Sequence, residues 1–165
     1  MIGAARRILG IDPGSARMGF GVVECTGTQL RALSYGCVET RPTLTAAERL
    51  VELHQELASI IRSAHPTEVA VEELFFAKNA RTVISVAEAR GVALMTLGEH
   101  HLPVFEYTPL QVKVGVVGYG KAEKRQVQHM VTILLRLAEL PRPDDAADAL
   151  AIAICHCHQP LDALR

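Results

Sequence analysis

Four acidic residues occupy strand ends or a helix start in the pattern of the sequence: Asp12, Glu72, Asp145 and Asp148. Asp12 and Glu72 each follow a short apolar run of the kind that predicts a buried strand. If the two strands are parallel neighbours, they end at the same edge of a sheet, where open α/β sheets bind ligands. Asp145 and Asp148 are three residues apart, so they share one face of a helix.

Carboxylates gathered in this way repel one another strongly unless cations lie among them. Ligation by oxygen alone suits Mg²⁺ or Mn²⁺. Two such ions about 4 Å apart would form the clamp used in phosphodiester hydrolysis. The alternative is a set of unrelated surface acids, because Asp12 could simply begin a turn and a helix dipole favours acids in the first turn.

Two neighbouring acids leave the assignment open. Glu72 and Glu73 point to opposite faces if the strand continues, so only one of them can join Asp12. Asp144 could be the N-cap of the last helix, which would leave Asp145 and Asp148 as the metal-binding pair.

The elements that position these residues follow from apolar periodicity and turn signals. We predict strands at residues 8–11, 18–23, 29–38, 69–71 and 104–107. We predict helices between Thr45 and Pro66 and at residues 79–97, 123–137 and 144–157, with Gly98 ending the second helix and residues 110–117 left unassigned.

The first three strands are expected to form an antiparallel meander. Its glycines, Gly19 and Gly21, would let the backbone of another molecule approach. The fourth strand follows a crossover helix and is therefore parallel to the first. The predicted fold class is α/β: a mixed sheet with an antiparallel three-strand meander followed by parallel strands, and helices on both faces.

A chain of 165 residues with 49% hydrophobic and 21% charged residues is expected to form one ordered domain, residues 1–165, with flexible ends at 1–7 and 159–165. The sequence shows no apolar run that could span a bilayer and no secretion leader, so we expect a cytoplasmic protein without membrane contact and with reduced cysteines. The run from Cys155 to His158 fans around a helix and has no second Cys/His pair at zinc-finger spacing, so zinc is not expected there.

The net charge of −1 means that any nucleic-acid contact must come from local patches. The stretch from Gln111 to Arg125 carries a net charge of +3, because it has one acid, Glu123, and four basic residues, Lys113, Lys121, Lys124 and Arg125. A second patch combines Lys78, Arg81 and Arg90 against Glu88. Beside an acidic metal site, such patches favour phosphate contacts, although charged runs are often only solvated faces.

Two aromatic residues, Phe75 and Phe76, closely follow Glu72. An aromatic side chain at a loop tip can wedge between bases or stack on them, and we expect one of the two to do so while the other belongs to the core.

Six segments stand in the order and at the spacing of the RuvC family of Holliday junction resolvases: ILGIDPGSARMGFGVV, AVEELFFAKNA, ARGVAL, PVFEYTPLQVK, GYGKAEKRQVQHMV and DDAADALAIAICHCH. The resemblance runs from Ile8 to about His158. It implies a ribonuclease H-like fold, a homodimer, and metal-dependent paired nicking of four-way DNA junctions in recombination and repair, alongside a branch-migration motor of RuvA and RuvB. The family's acidic site falls on Asp12, Glu72, Asp145 and Asp148, with two Mg²⁺ per subunit or Mn²⁺ instead, and its DNA-facing aromatic falls on Phe75.

Other classes of protein fit the pattern less well. Actin-like and sugar-kinase ATPases also carry a glycine hairpin after a strand-end Asp, but they need two such domains. Another ribonuclease H-like nuclease and a non-catalytic junction-binding subunit stay as alternatives, although a silent subunit would not need four acids. The candidate dimer interface is the apolar stretch around Val83, Val86, Ala89 and Ala93, which could equally belong to the core.

Overall fold

The computed structural model describes residues 5–14, 16–74 and 80–160, with Ala80 and Arg81 described in their backbone alone. Phe75, Phe76 and Lys78 lie outside the described residues, as do residues 1–4 and 161–165 of the expected flexible ends. Five strands and five helices follow one another in the described ranges: β1 (Arg6–Pro13), β2 (Arg17–Thr26), β3 (Gln29–Glu39), α1 (Ala46–Ala64), β4 (Glu68–Glu72), α2 (Ala80–Glu99), β5 (Val104–Tyr107), α3 (Pro109–Val117), α4 (Lys124–Leu134) and α5 (Asp144–Cys157).

The strands form one sheet in the order β3-β2-β1-β4-β5. The pairs β3/β2 and β2/β1 are antiparallel, whereas β1/β4 and β4/β5 are parallel. The predicted meander followed by parallel strands is therefore confirmed, and the mixed sheet with five helices agrees with a ribonuclease H-like fold.

The two faces of the sheet bury separate apolar clusters, because successive side chains of a strand point to opposite sides. Ile8 of β1 packs with residues of α3, α4 and α5. Its neighbour Leu9 packs with residues of α1 and α2 on the other face. The helices accordingly cover both faces, as predicted.

Capping boxes fix the start of two helices. The backbone N–H of Thr45 donates to Glu48 Oε2 at 2.8 Å, and Glu48 returns a backbone N–H to Thr45 Oγ1, so the predicted start of α1 is confirmed. Thr108 and Gln111 make the same exchange at the start of α3. This box starts α3 at Pro109, so residues 110–117, which the apolar pattern left unassigned, are helical.

Several boundaries differ from the sequence prediction. Strand β1 begins at Arg6, so Arg6 and Arg7 belong to the sheet and not to a flexible end. Helix α4 ends at Leu134, three residues before the predicted limit. Gly98 lies inside α2, which ends at Glu99, because the glycine there has ordinary helical backbone angles.

Two of the four residues of the candidate dimer interface on α2 belong to the core, which is the alternative that the sequence left open. Ala89 and Ala93 are almost fully buried against the sheet, because they share the inward face of the helix with Leu97. None of the helices in the described part of the chain has the length and apolarity that a bilayer crossing requires.

Candidate active site

Asp12 and Glu72 stand at the ends of two adjacent parallel strands. The register sets Ile11 of β1 opposite Val71 of β4, so the next residue on each strand is one of the two acids. Both acids follow the alternation that directs Ile8 and Ala70 toward α5. Glu73 is exposed and falls on the opposite face of that alternation, and its backbone N–H donates to the carbonyl oxygen of Tyr107 at 2.9 Å. The structure therefore pairs Glu72, and not Glu73, with Asp12.

Helix α5 lies directly on this part of the sheet because two strand residues lack side chains. A Cβ at Gly10 would lie 2.0 Å from the carbonyl oxygen of Ala149, and a Cβ at Gly19 would lie 2.0 Å from that of Asp145. Gly19 is also the strand partner of Asp12. The close approach predicted for this hairpin is thus made by the protein's own helix and not by another molecule, and it delivers the first turn of α5 to Asp12.

The acids open into a cavity of about 230 Å³. Its lining combines three carboxylates, two lysines and an apolar wall: Asp12, Glu72, Asp148, Lys113, Lys124, Pro109, Val112, Val127, Ala151 and Ile152. Asp145 is half-buried on the first turn of α5 and does not line the cavity, although its charge acts on Asp12. Asp144 is exposed at the start of the same helix, where Pro143 is the N-cap, so the N-cap role considered for Asp144 is wrong.

Burial and mutual repulsion disfavour the charged form of three of these carboxyl groups. Burial, followed by the charges of Glu72, Asp148 and Asp145, raises the pKa of Asp12 from 3.8 to about 7. Burial and then the Asp148 charge raise the pKa of Glu72. Burial also raises the pKa of Asp148, against the opposing effect of Lys124. A positive charge among the acids would therefore stabilise their charged forms.

Lys124 supplies one such charge from the first turn of α4. Its Nζ donates to Asp148 Oδ2 at 2.9 Å and lies 3.7 Å from Asp144 Oδ2. The carboxylates offset the cost of burial and raise the pKa of Lys124. The sequence pattern assigns Lys124 only to a phosphate-binding patch, because a contact between residues 24 positions apart leaves no trace in periodicity.

The donor set fits a hard divalent cation in chemistry, since it consists of carboxylate oxygens that repel one another. Among the residues that the structure describes, however, no group of three or more His, Cys, Asp or Glu side chains is arranged to hold a metal ion. Asp148 is instead engaged by Lys124. The acids that a cation would need are gathered around one cavity, and an ammonium group neutralises part of their charge.

The basic residues of the predicted DNA surface divide into two groups. Lys113 lines the cavity, and Lys121 and Arg125 are exposed; none of the three forms an ion pair with a residue that the structure describes. Arg90 differs, because its guanidinium pairs with Glu106 and donates to the backbone carbonyl of Glu72 at 3.4 Å. Only 14% of its side chain is exposed, so it holds the end of β4 and is not a free phosphate ligand. For Arg81 only the backbone, in α2, is described.

The Cys155–His158 run contacts different parts of the fold. His156 is fully buried and bonds Tyr107 Oη at 2.6 Å and Glu68 Oε2 at 2.7 Å. Cys155 Sγ approaches the carbonyl oxygen of Gln111, and His158 Nδ1 that of Gly115. The run therefore anchors the end of α5 to β4, β5 and α3.

Comparisons with known proteins give a consistent result. A family model described as crossover junction endodeoxyribonuclease RuvC matches residues 8–156. The chain is 54% identical over 154 residues to the crossover junction endodeoxyribonuclease RuvC of Roseiflexus sp. (strain RS-1), covering 93% of this chain and 92% of that protein. It is 56% identical over 149 residues to the RuvC of Desulforamulus reducens, covering 90% and 91% of the two chains. The solved structure of T. thermophilus RuvC in complex with Holliday junction substrate superposes with a TM-score of 0.87 at 39% identity, covering 92% of each chain.

Proposed function

Because this chain belongs to the RuvC family of crossover junction endodeoxyribonucleases, we propose that it resolves Holliday junctions by hydrolysing phosphodiester bonds at the cavity between β1, β4 and α5. Nucleases of this family are metal-dependent. The observation that carries the proposal is the convergence of Asp12, Glu72 and Asp148 on one cavity where their pKa values are raised. Carboxyl groups in that state bind a divalent cation with a large gain, since the cation removes their repulsion.

The proposed catalytic and metal-binding residues are the four acids: Asp12, Glu72, Asp145 and Asp148. They would hold Mg²⁺, two ions per subunit, with Mn²⁺ as the alternative, and such ions would supply activation of a water and stabilisation of the charge on the scissile phosphate. The protein's own contribution is rigid placement. Asp12 and Glu72 stand on adjacent strand ends, Arg90 bonds the backbone of Glu72, and Gly19 admits the turn of α5 that carries Asp145.

We propose seven DNA-binding residues, of which Lys113 and Lys124 line the cavity: Phe75, Lys78, Arg81, Lys113, Lys121, Lys124 and Arg125. The best supported is Lys113, which lines the cavity and forms no ion pair with a described residue. Lysines placed in this way contact phosphates and set the position of the strand, while the sequence preference comes from other contacts. The solved complex of the T. thermophilus relative with its junction substrate supports a DNA surface on this fold.

We also propose that residues 1–165 act as a single nuclease domain in a homodimer. A junction is separated only by two symmetric nicks, and an isologous dimer presents two copies of one site about a two-fold axis. The partners would be a branch-migration complex of RuvA and RuvB, and the working compartment would be the cytoplasm, where bacterial chromosomal DNA recombines.

The test is cleavage of a four-way junction, a linear duplex and an RNA–DNA hybrid by the purified full chain, with Mg²⁺ and with a chelator. We expect Mg²⁺-dependent paired cuts in the junction alone. Asp12→Asn, Glu72→Gln and Asp145→Asn should each lower the rate by at least about a hundredfold while junction binding persists, because each removes a charge without removing volume.

Glu73→Gln is the matched control, because Glu73 neighbours Glu72 but faces away from the cavity. It should cleave at nearly the normal rate. An equal loss of activity in Glu73→Gln, or preferred cleavage of the hybrid, would contradict the proposed site or the proposed substrate, respectively.

A further inference from the structure

Lys124 occupies an unusual position for a DNA-binding lysine, because its ammonium group is bonded within the acidic site. It donates to Asp148 at 2.9 Å, lies 3.7 Å from a carboxylate oxygen of Asp144, and lines the same cavity as Asp12 and Glu72. Lys113 lines that cavity too, but it makes no ion pair with a described residue. One lysine therefore neutralises the acids while the other does not.

An ammonium group in this place competes with a metal ion for the same carboxylate. Asp148 cannot give its Oδ2 lone pairs both to Lys124 and to a cation at full strength, and the two positive charges repel each other at short range. The acids that would take the cation and the ammonium group that would repel it line the same cavity.

Lys124 is also free to leave without disturbing the helix that carries it. Its side chain is 56% exposed and has a flexible four-carbon stem. The start of α4 is held instead by Glu123 and Gln126, since the backbone N–H of Glu123 donates to Gln126 Oε1 at 2.7 Å. Movement of the ammonium group would break its hydrogen bond to Asp148 and its longer ion pair with Asp144, and would leave the start of the helix in place.

We propose that Lys124 is the resident counter-cation of the metal-free site: its ammonium group holds Asp148 until divalent cations enter, and the cations displace it toward the DNA backbone. The inference rests on the proposed function, because it takes the four acids as the metal site. Metal entry would then free a positive charge beside the scissile phosphate, so that metal and junction DNA each strengthen the binding of the other.

The test measures Mn²⁺ binding to the DNA-free full chain by electron paramagnetic resonance. Wild type, Lys124→Met and the matched control Lys113→Met are compared, with Asp12→Asn identifying the binding that belongs to the site. We expect Lys124→Met to bind Mn²⁺ at least about tenfold more tightly than wild type, because it removes a charge that touches a ligand. Lys113→Met removes an equal charge from the same cavity and should change the affinity much less.

A second readout follows the lysine itself. The side-chain ammonium resonance of Lys124, assigned in ¹⁵N-labelled protein by its loss in Lys124→Met, should show a slowly exchanging, bonded ammonium group without metal. It should change to a rapidly exchanging one when Mg²⁺ is added. The Lys113 resonance should not lose a bond in this way.

The outcomes separate the two proposals. Unchanged or weaker Mn²⁺ binding in Lys124→Met, or an equal gain in Lys113→Met, would overturn the counter-cation role while leaving the nuclease site intact. Mn²⁺ binding to wild type that is insensitive to Asp12→Asn would instead contradict the metal site, and with it the proposed function.

Discussion

Among single residues, Asp12 is the carboxyl group whose charged form is opposed both by burial and by the charges of three neighbouring acids. It is partly buried, it neighbours Glu72 across the parallel register, and its pKa of about 7 lies well above the 3.8 of an ordinary Asp. The native chain therefore holds a proton on Asp12 between about pH 4 and pH 7 that the unfolded chain has lost. Native protein that binds more protons loses stability as the pH rises.

Wild type without metal should therefore lose more stability as the pH rises than Asp12→Asn does. The variant keeps a neutral side chain at every pH, so its free energy of unfolding should rise relative to wild type by roughly 2–4 kcal/mol between pH 4 and pH 8. Urea unfolding in a chelating buffer at pH 4, 6 and 8 measures the difference. Saturating Mg²⁺ at pH 8 should reverse the order, because only wild type gains the binding energy. A difference that stays constant with pH would contradict the assigned pKa.

At the scale of elements, the seating of α5 on the sheet determines where the acids meet. Gly10 and Gly19 face the helix backbone, and the carbonyl oxygen of Asp145 fills the space of the missing Cβ of Gly19. The distance between α5 and the sheet is fixed at these two glycines, because the nearest atoms of the helix are backbone atoms that cannot rotate away. The spacing between Asp12 and the first turn of α5 is thus set by a strand residue without a side chain.

Gly19→Ala should therefore impair both the fold and the site. A Cβ 2.0 Å from a backbone oxygen forces the start of α5 off the sheet, at a cost of about 1–3 kcal/mol. Cleavage should fall by more than this loss of stability explains, because Asp145 moves with the helix. Thermal unfolding and junction cleavage below the melting temperature measure the two effects.

Gly98→Ala is the control for this substitution. Gly98 lies in α2 with nothing within 4 Å of an added Cβ, so alanine should stabilise the helix by about 0.5–1 kcal/mol and leave cleavage unchanged. Normal cleavage by Gly19→Ala would mean that the position of α5 is not critical for the acids.

The opposite end of α5 is held by a buried polar network. Burial lowers the pKa of His156, so the neutral ring donates through Nε2 to Glu68 and accepts at Nδ1 from the Tyr107 hydroxyl. The Arg6 guanidinium completes the network by donating to both carboxylate oxygens of Glu68, from Nε to Oε1 at 2.8 Å and from Nη2 to Oε2 at 2.7 Å. The network joins β1, β4, β5 and α5, the last of which carries Asp145 and Asp148.

Tyr107→Phe should destabilise the protein by about 1–3 kcal/mol, since it leaves the buried Nδ1 of His156 without a donor. Tyr35→Phe is the matched control, because Tyr35 is 38% exposed on β3, and its change should stay within about 0.5 kcal/mol. Denaturant unfolding of both variants measures the difference. Equal stability of the two would show that the Tyr107 bond contributes nothing net.

At the scale of the whole molecule, one site cannot complete the reaction. The two strands to be cut are related by the two-fold symmetry of the junction, whereas the chain has one cavity in which Asp12, Glu72 and Asp148 meet. The proposed homodimer would supply the second site in the matching orientation. Each subunit would then make one nick.

A mixed dimer tests this division of labour. One normal subunit and one subunit with Asp12→Asn should bind junctions normally and nick a single strand, because only one site keeps its ligands. On a supercoiled plasmid with an extruded cruciform, the product should be open circles in place of linear molecules, as separated on an agarose gel. Linear product at the normal rate would mean that one subunit makes both cuts.

The amino-acid pattern is enough to predict the element types, the mixed sheet and the shared edge of Asp12 and Glu72. These features depend on near neighbours in the chain: apolar runs define strands, capping residues such as Thr45 define helix starts, and a crossover helix implies a parallel strand. The resemblance carried by six motifs added the family and its acidic site. Residues 110–117 stay unassigned from the sequence because their apolar positions follow no helical stripe. The structure shows that they form a helix, which begins at the Thr108 capping box.

The pairs of side chains that meet at the site can be read only from the folded chain. The bond from Lys124 to Asp148 spans 24 residues, the bond from Arg90 to the Glu72 carbonyl spans 18, and the contact of Gly19 with Asp145 joins distant parts of the chain. Contacts of this kind depend on the depth and angle at which a helix packs on a sheet. Packing is set by the whole core at once, so local patterns predict that the acids gather but not which cation holds them together.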